Sequence, residues 1–303
     1  MSTSTVTISK SRSFDLRIIL AFFAIYVLWG TTFLAIRIAV AEVPPLLAAG
    51  IRFFVAGSVL FAFMRVRGKA NPTAAQWRNL VVIGLLMFVA EYGPLFWAEK
   101  YVPSGIASVL EAPLPIFTLI IEMIVLRQQR FRWVVVASSL AGFCGVGVLM
   151  LPSSQERLAL WPCVAILLGA ITWSLGSVLS RSFDLPRSRP LTAGAAMMLG
   201  GAMLLALSAA FGEMRPFPHI SLRAASALLY LIVFGSLLAF TAFVWLLARM
   251  PATRVSSHAY VNPIVAVALG YFAAGEAITL RTLAGTALVI ASVILILRPG
   301  GRS

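Results

Sequence analysis

Apolar runs of about 20 residues follow one another along almost the whole 303-residue chain, separated only by short polar breaks. A run of that length, as helix, spans a hydrocarbon core about 30 Å thick. Inside lipid every backbone polar group needs a partner within the protein, which leaves helices or a closed β-barrel. The runs are continuous rather than alternating, so they predict helices. Composition agrees: charged residues are 11% of the chain, against about 25% in a soluble domain. The expected fold is an all-α integral membrane protein with ten spans, at 16–40, 45–66, 78–98, 103–126, 132–151, 158–180, 190–211, 222–247, 252–273 and 280–298. Residues 1–15 form a polar tail. The apolar run after it has no evident small-residue cleavage site and reads as a retained first span.

The formal net charge is +14. In a soluble chain that would suggest nucleic acid. Here the basic residues flank spans, where they set topology. Of the 24 Lys and Arg, 17 fall in the tails and loops of one membrane face, and five in those of the other (Lys100, Arg157, Arg215, Arg223, Arg281). The positive-inside rule then puts both termini in the cytoplasm. Cys144 and Cys163 are the only cysteines and lie in or beside spans, so neither a disulfide framework nor a metal cluster is expected. No HExxH, Walker or GxSxG pattern occurs, which argues against an enzyme. No cofactor, metal or nucleic-acid partner is expected.

The two halves resemble each other. A shift of 144 residues lays Trp29 on Trp173, Arg37 on Arg181, Gly50 on Gly194 and Gly57 on Gly201. A shift of 148 lays Trp97 on Trp245, Pro103 on Pro251, Ser108 on Ser256 and Pro115 on Pro263. The repeats are 16–151 and 158–298, of five spans each. An odd number forces the second copy to enter the membrane inverted. Inverted repeats are a hallmark of secondary transporters.

Three stretches carry a family resemblance: "WGTTFLAIR" in the first span, "WSLGSVLSR" in the sixth, and "NPIVAVALGYFAAGEAITLRTLAG" across the last two. They resemble EamA-type domains of the drug/metabolite transporter superfamily, over about 16–298. Gly275-Glu276 fits that pattern, and the first copy departs from it with Arg127-Gln128. The resemblance implies ten helices around a central cavity and export of small metabolites. The overall pattern is similar to YddG-type exporters of aromatic and other neutral amino acids. The implied partners are a small-molecule substrate and the lipid bilayer of the inner membrane. Glu91 or Glu111 could carry a proton in antiport, and facilitated diffusion fits the sequence equally well.

Ionisable residues inside spans mark function by default. At about 1.5 Å per residue, Glu91, Glu111, Arg52 and Trp29 come out about 10–12 Å below the outer face on four different helices. Tyr92 adjoins Glu91. One arginine cannot compensate two carboxylates, and Arg52 could instead lock to one of them as a structural pair. The second half supplies His258, Tyr260, Asn262 and Trp173 near the inner face. This predicts a cavity acidic on one side of the midplane and aromatic with imidazole on the other. Pro115 and Pro263, matched between the repeats, are the candidate hinges, where freed carbonyls would face the cavity. Glu122 is expected to snorkel to the cytoplasmic interface, Arg37 to be interfacial, and Trp97 and Trp245 to sit in the aromatic belt.

Overall fold

The computed structural model describes residues 15–126, 133–149, 160–215, 219–274 and 280–297. The tail before Asp15, Arg127-Gln128 and Gly275-Glu276 lie outside the described residues. Among the described residues every regular element is helical. Seven segments are long and apolar enough to cross a membrane: Leu16–Val40, Pro45–Val66, Ala74–Ala98, Ser104–Leu126, Leu160–Ser182, Arg189–Ala210 and Leu222–Leu247. The expected fifth, ninth and tenth spans correspond to Trp133–Leu149, to the pair Ala252–Val255 and His258–Ala274, and to Leu280–Leu297. The third segment starts earlier than its apolar run. Thr73 caps it, and the reciprocal Thr73–Gln76 capping box satisfies the first free amides.

Several segments are not regular α-helix. Single π-helical stretches occur at Ala24–Leu28, Leu85–Val89, Glu122–Leu126 and Leu231–Leu238. Such bulges re-aim the side chains beside them and recur at functional sites. Two segments are broken outright. The fourth is interrupted at Glu111–Pro113, between Ser104–Leu110 and Leu114–Ile121. Pro113 is the N-cap of the second piece and Pro115 lies in its first turn, where a missing N–H leaves no intrahelical bond unmade. The ninth is interrupted at Ser256–Ser257, before Pro263, which sits inside the continuous helix His258–Ala274. Each break therefore precedes its conserved-register proline rather than coinciding with it.

The second and seventh of the ten expected spans, Pro45–Val66 and Arg189–Ala210, pack antiparallel along their lengths. A β-carbon on Gly57 would sit 2.2 Å from the Met198 backbone nitrogen, and one on Gly201 would sit 2.2 Å from that of Phe54. Gly50 meets Leu205 and Gly194 meets Phe61 in the same way. The 144-residue shift turns each of these contacts into another: 57 with 198 becomes 201 with 54, and 50 with 205 becomes 194 with 61. The pairing maps onto itself as a two-fold contact does. The glycines are needed because backbone meets backbone there. Trp133–Leu149 and Leu280–Leu297 pack alongside each other, with Gly145 against Leu288 and the Ser292 hydroxyl donating to the Ser138 carbonyl at 2.6 Å.

Carboxylates tie helix starts together at the face away from the basic loops. Glu213 accepts from the Leu47 amide at 2.9 Å and the Ser208 hydroxyl at 3.0 Å. Glu42 accepts from the amide and hydroxyl of Ser221, the N-cap of Leu222–Tyr230, at 2.9 and 2.8 Å. Those bonds favour the charged form and hold the Glu42 carboxyl below its usual range. A depressed folded-state value gives stability that is present above the unfolded pKa and lost as pH falls through the folded one. Glu42→Gln should therefore melt below wild type at neutral pH, with the gap closing on acidification below about pH 4. Thermal melts of detergent-purified protein across pH measure it, and a gap independent of pH would remove the carboxylate from the account.

Candidate functional site

The repeat-related tryptophans meet at the centre of the protein. Trp29 lies at the end of the first π-helical stretch, and its ring is edge-on to Trp173 at 5.5 Å. Phe243 contacts both rings at 5.1 Å, and His258 stands edge-on to Trp29 at 4.7 Å. Tyr92 joins from the third segment, 5.8 Å from Trp173. Trp29, Trp173, His258 and Tyr92 line a cavity of about 20 Å³ whose walls also include Thr32, Glu91, Glu111 and Asn262. That is room for about one water molecule. The centre is too small in this conformation to hold a metabolite.

Polar atoms with no protein partner face or adjoin this space. Among the described residues, one oxygen each of Glu91, Glu111 and Asn262, the Trp173 indole N–H and both His258 ring nitrogens lack a hydrogen-bond partner. All five side chains are buried. Unpaired buried polar groups each cost about 1–3 kcal/mol, and a cluster of them points to a ligand. Glu91 and Glu111 lie side by side, close enough to share a hydrogen bond. Two carboxyls can do so only with a proton between them. The Glu91 carboxylate also lies against the Gly169 backbone, where a β-carbon would come within 2.5 Å of its oxygen. The break at Glu111–Pro113 frees Glu111 from regular helix, and the π-helical stretch Leu85–Val89 ends just before Glu91.

Arg52 is fully buried yet makes no ion pair with either carboxylate. Its Nε donates to the Ser236 hydroxyl at 3.0 Å, and its guanidinium lies over the Phe53, Tyr92 and Phe96 rings. The expected acidic layer and aromatic layer do not sit apart. Glu91, Tyr92, Glu111 and Trp29 line one cavity together with Trp173, His258 and Asn262. Two depths of about 10 Å, taken from opposite faces of a core of about 30 Å, leave a gap that indole and imidazole side chains bridge. Tyr260 is the exception: it is buried with Ala112 and Val289 and beside Gly142, outside the cavity wall.

A second closure escaped the sequence reading. Glu122 is fully buried rather than snorkelling. It accepts from the Ala252 amide at 3.0 Å, the Thr253 hydroxyl at 2.7 Å, and Arg181. One turn away, the Thr118 hydroxyl reaches those of Ser174 at 3.0 Å and Ser256 at 3.1 Å. Every one of these bonds runs from the first half of the chain to the second. The signal available in sequence was an acid four residues after a threonine, in a span with no cation of its own. Beside this latch, on the face of the basic loops, lies a vestibule of about 280 Å³. Arg181, Asp184 and Arg189 line it, together with Met87 and Phe240. Phe240 touches Trp173 with ring centres 6.1 Å apart. Arg37, the repeat mate of Arg181, donates instead to the Val102 carbonyl at 3.0 Å. Trp97 is partly exposed against Tyr101, and Trp245 carries Arg249 over its ring, as belt residues do.

Breaking the latch should loosen this face. Glu122→Ala removes the buried carboxylate and with it the bonds to the Ala252 amide, the Thr253 hydroxyl and Arg181. A cysteine placed at the buried Ser256, in a background lacking Cys144 and Cys163, should then react with a membrane-impermeant maleimide at least about tenfold faster. Unchanged labelling would mean that Glu122 closes nothing.

Comparison with known proteins bears on what such a centre does. The EamA-like transporter family matches the chain twice, over residues 16–151 and 160–298. The chain is 35% identical over 279 residues to the uncharacterized inner membrane transporter YedA of Escherichia coli K12, covering 91% of this chain and 89% of that one. It is 25% identical to the uncharacterized transporter YoaV of Bacillus subtilis, over 92% and 96% of the two chains. It is 28% identical to protein PecM of Dickeya dadantii, over 90% and 91%. A crystal structure at 22% identity superposes with a TM-score of 0.75, covering 94% of this chain and 97% of its own, and so shares the fold. With the family matched on both halves and a relative above 30% identity along nearly its full length, the chain belongs to the EamA-like transporter family.

Proposed function

We propose that this chain is an inner-membrane secondary transporter that exports small metabolites, amino acids with aromatic or other neutral side chains above all. It works by alternating access between two inverted five-helix repeats, ten spans in all, with both termini in the cytoplasm. The observation that carries the reading is the centre itself. Repeat-related Trp29 and Trp173 touch there, and the cavity they bound is lined by buried polar groups without protein partners. A polar-lined cavity at the boundary of two repeats, with bonds running between them, is where a carrier of this build holds its substrate. The self-mapping contact of the second and seventh spans supports the inversion. The aromatic lining favours apolar or aromatic cargo. The Glu91–Glu111 pair supplies a proton site, so proton antiport is the proposed coupling. The breaks before Pro115 and Pro263 are the proposed flexing points. Tyr260 serves this reading as packing for the ninth segment rather than as a cavity residue.

Uptake and counterflow by purified protein in liposomes against a panel of amino acids tests it. Saturable flux of aromatic or neutral amino acids, accelerated by the same solute on the far side, is the expected result. Flux confined to sugars, nucleotide derivatives or drugs would overturn the cargo, and non-saturable flux would overturn the carrier.

A further inference from the structure

Arg52 carries a charge into the apolar interior. Its relative exposure is 0%, and a guanidinium stays protonated in proteins. It carries five N–H donors. Nε alone is bonded, to Ser236, while neither terminal nitrogen has a partner among the described residues. Among the described residues no carboxylate lies within ion-pair distance. Tyr92 and Glu99 are within electrostatic reach of it, and the Tyr92 hydroxyl lies close enough to the guanidinium to share a hydrogen bond. The surroundings are built to hold the fork open. Phe53, Tyr92 and Phe96 present ring faces at 4.6, 5.0 and 5.9 Å. Gly235 lacks the β-carbon that would stand 2.8 Å from one terminal nitrogen. Gly235 and Ser236 belong to the π-helical stretch Leu231–Leu238, and the Gly235 carbonyl accepts from the Trp29 indole at 2.9 Å. The fork is thus one side chain behind the central cavity, whose wall includes Tyr92, Thr32 and Trp29.

A buried charge held only by the neutral hydroxyls of Ser236 and Tyr92 leaves most of its donors and all of its charge uncompensated, which costs several kcal/mol unless something outside the chain pairs it. The planar fork matches a two-oxygen anion. We propose that Arg52 is the docking point for a carboxylate of the transported molecule, which enters by displacing the Tyr92 ring. This deepens the transport reading above and rests on it. It also fixes orientation. A zwitterion with its carboxylate on Arg52 directs its ammonium to the free oxygens of Glu91 and Glu111, and its side chain to the Trp29–Trp173–Phe243 rings. The carboxylate replaces the missing ion pair, so no net charge is buried.

The test uses four probes that differ in one group: L-phenylalanine, 3-phenylpropanoate, phenylethylamine and L-phenylalaninamide. Binding to wild-type protein in nanodiscs is read by thermal shift and by calorimetry, with chloride and inorganic phosphate as anion controls. The two probes with a free carboxylate should bind, and the amine and amide should bind at least about tenfold more weakly, as loss of a charge-assisted bidentate contact implies. Arg52→Lys, which keeps the charge and loses the fork, should shrink that preference, and Arg52→Gln should abolish it. The wild-type comparison needs no variant to fold. Equal binding of amine and carboxylate probes, tighter binding of chloride or phosphate than of either carboxylate, or no binding of any probe would overturn the proposal. Carboxylate-selective binding without flux in liposomes would overturn the transport reading and leave this one standing, whereas flux of the amine and amide would do the reverse.

Discussion

Glu111→Gln should give a protein that folds, exchanges substrate across the membrane and no longer accumulates it against a gradient. Glutamine has nearly the size of glutamate, and its amide can donate to Glu91, so the contact between the third and fourth segments survives. What it cannot do is release a proton. Glu111 suits that role because it sits at a helix break, where no regular helical bond fixes it, and faces the same cavity as the proposed cargo. A one-for-one exchange with protons, driven by a difference of one pH unit, sustains about tenfold accumulation, since about 1.4 kcal/mol corresponds to a factor of ten. The variant should reach none, while counterflow at equal pH stays within a few-fold of wild type. Liposomes with an imposed pH difference measure both. A variant that still accumulates substrate with an unchanged pH profile would take the proton away from Glu111.

Gly57→Ala and Gly201→Ala should each damage the fold itself, and to the same degree. Added β-carbons would lie 2.2 Å from backbone nitrogens of the opposing helix. No side chain can swing aside there, so the second and seventh spans must separate along their length. Overpacking of a tight site costs about 1–3 kcal/mol where side chains can adjust, and here backbone must move. A fall in melting temperature of several degrees or more is expected. Gly147→Ala is the control, because nothing lies within 4 Å of a β-carbon at that position. If Gly57→Ala melts like Gly147→Ala, the close approach does not exist. If only one of the repeat-related pair is damaging, the self-mapping contact is not symmetric in energy.

Much of the fold follows from apolar run length, which placed the helices at Pro45–Val66, Arg189–Ala210 and Leu222–Leu247 to within a residue. The matched glycines and tryptophans followed from the internal repeat, and the structure brings both sets into contact. Departures from regular helix were not readable. A π-helical stretch differs from α-helix by one residue of register, which local composition barely senses and tertiary packing decides. Proline was the visible marker of a break, yet the chain breaks at Glu111–Pro113 and Ser256–Ser257. Proline is tolerated in a first turn, so it need not sit at the break. Depth along a helix predicted two layers of polar residues, but side-chain length and the breaks merge them. Glu122 looked interfacial by depth, and its burial depends on amides at Ala252 and Thr253, far away in sequence.

The latch at Glu122 has a kinetic consequence. Arg181 closes one face in an ion pair with a carboxylate, while its repeat mate Arg37 bonds the Val102 carbonyl at the other and makes no ion pair within the described residues. The position matching Glu122 in the second copy is Gly270. In a carrier that must open both faces in turn, unequal closures give the unloaded protein a preferred side to wait on. Each 1.4 kcal/mol of that difference weights the waiting state about tenfold. Leaving it empty-handed becomes the slow leg of the cycle. Solute on the far side removes that leg by letting the carrier return loaded, so one-for-one exchange should outrun net release by a factor that Glu122→Ala brings towards one.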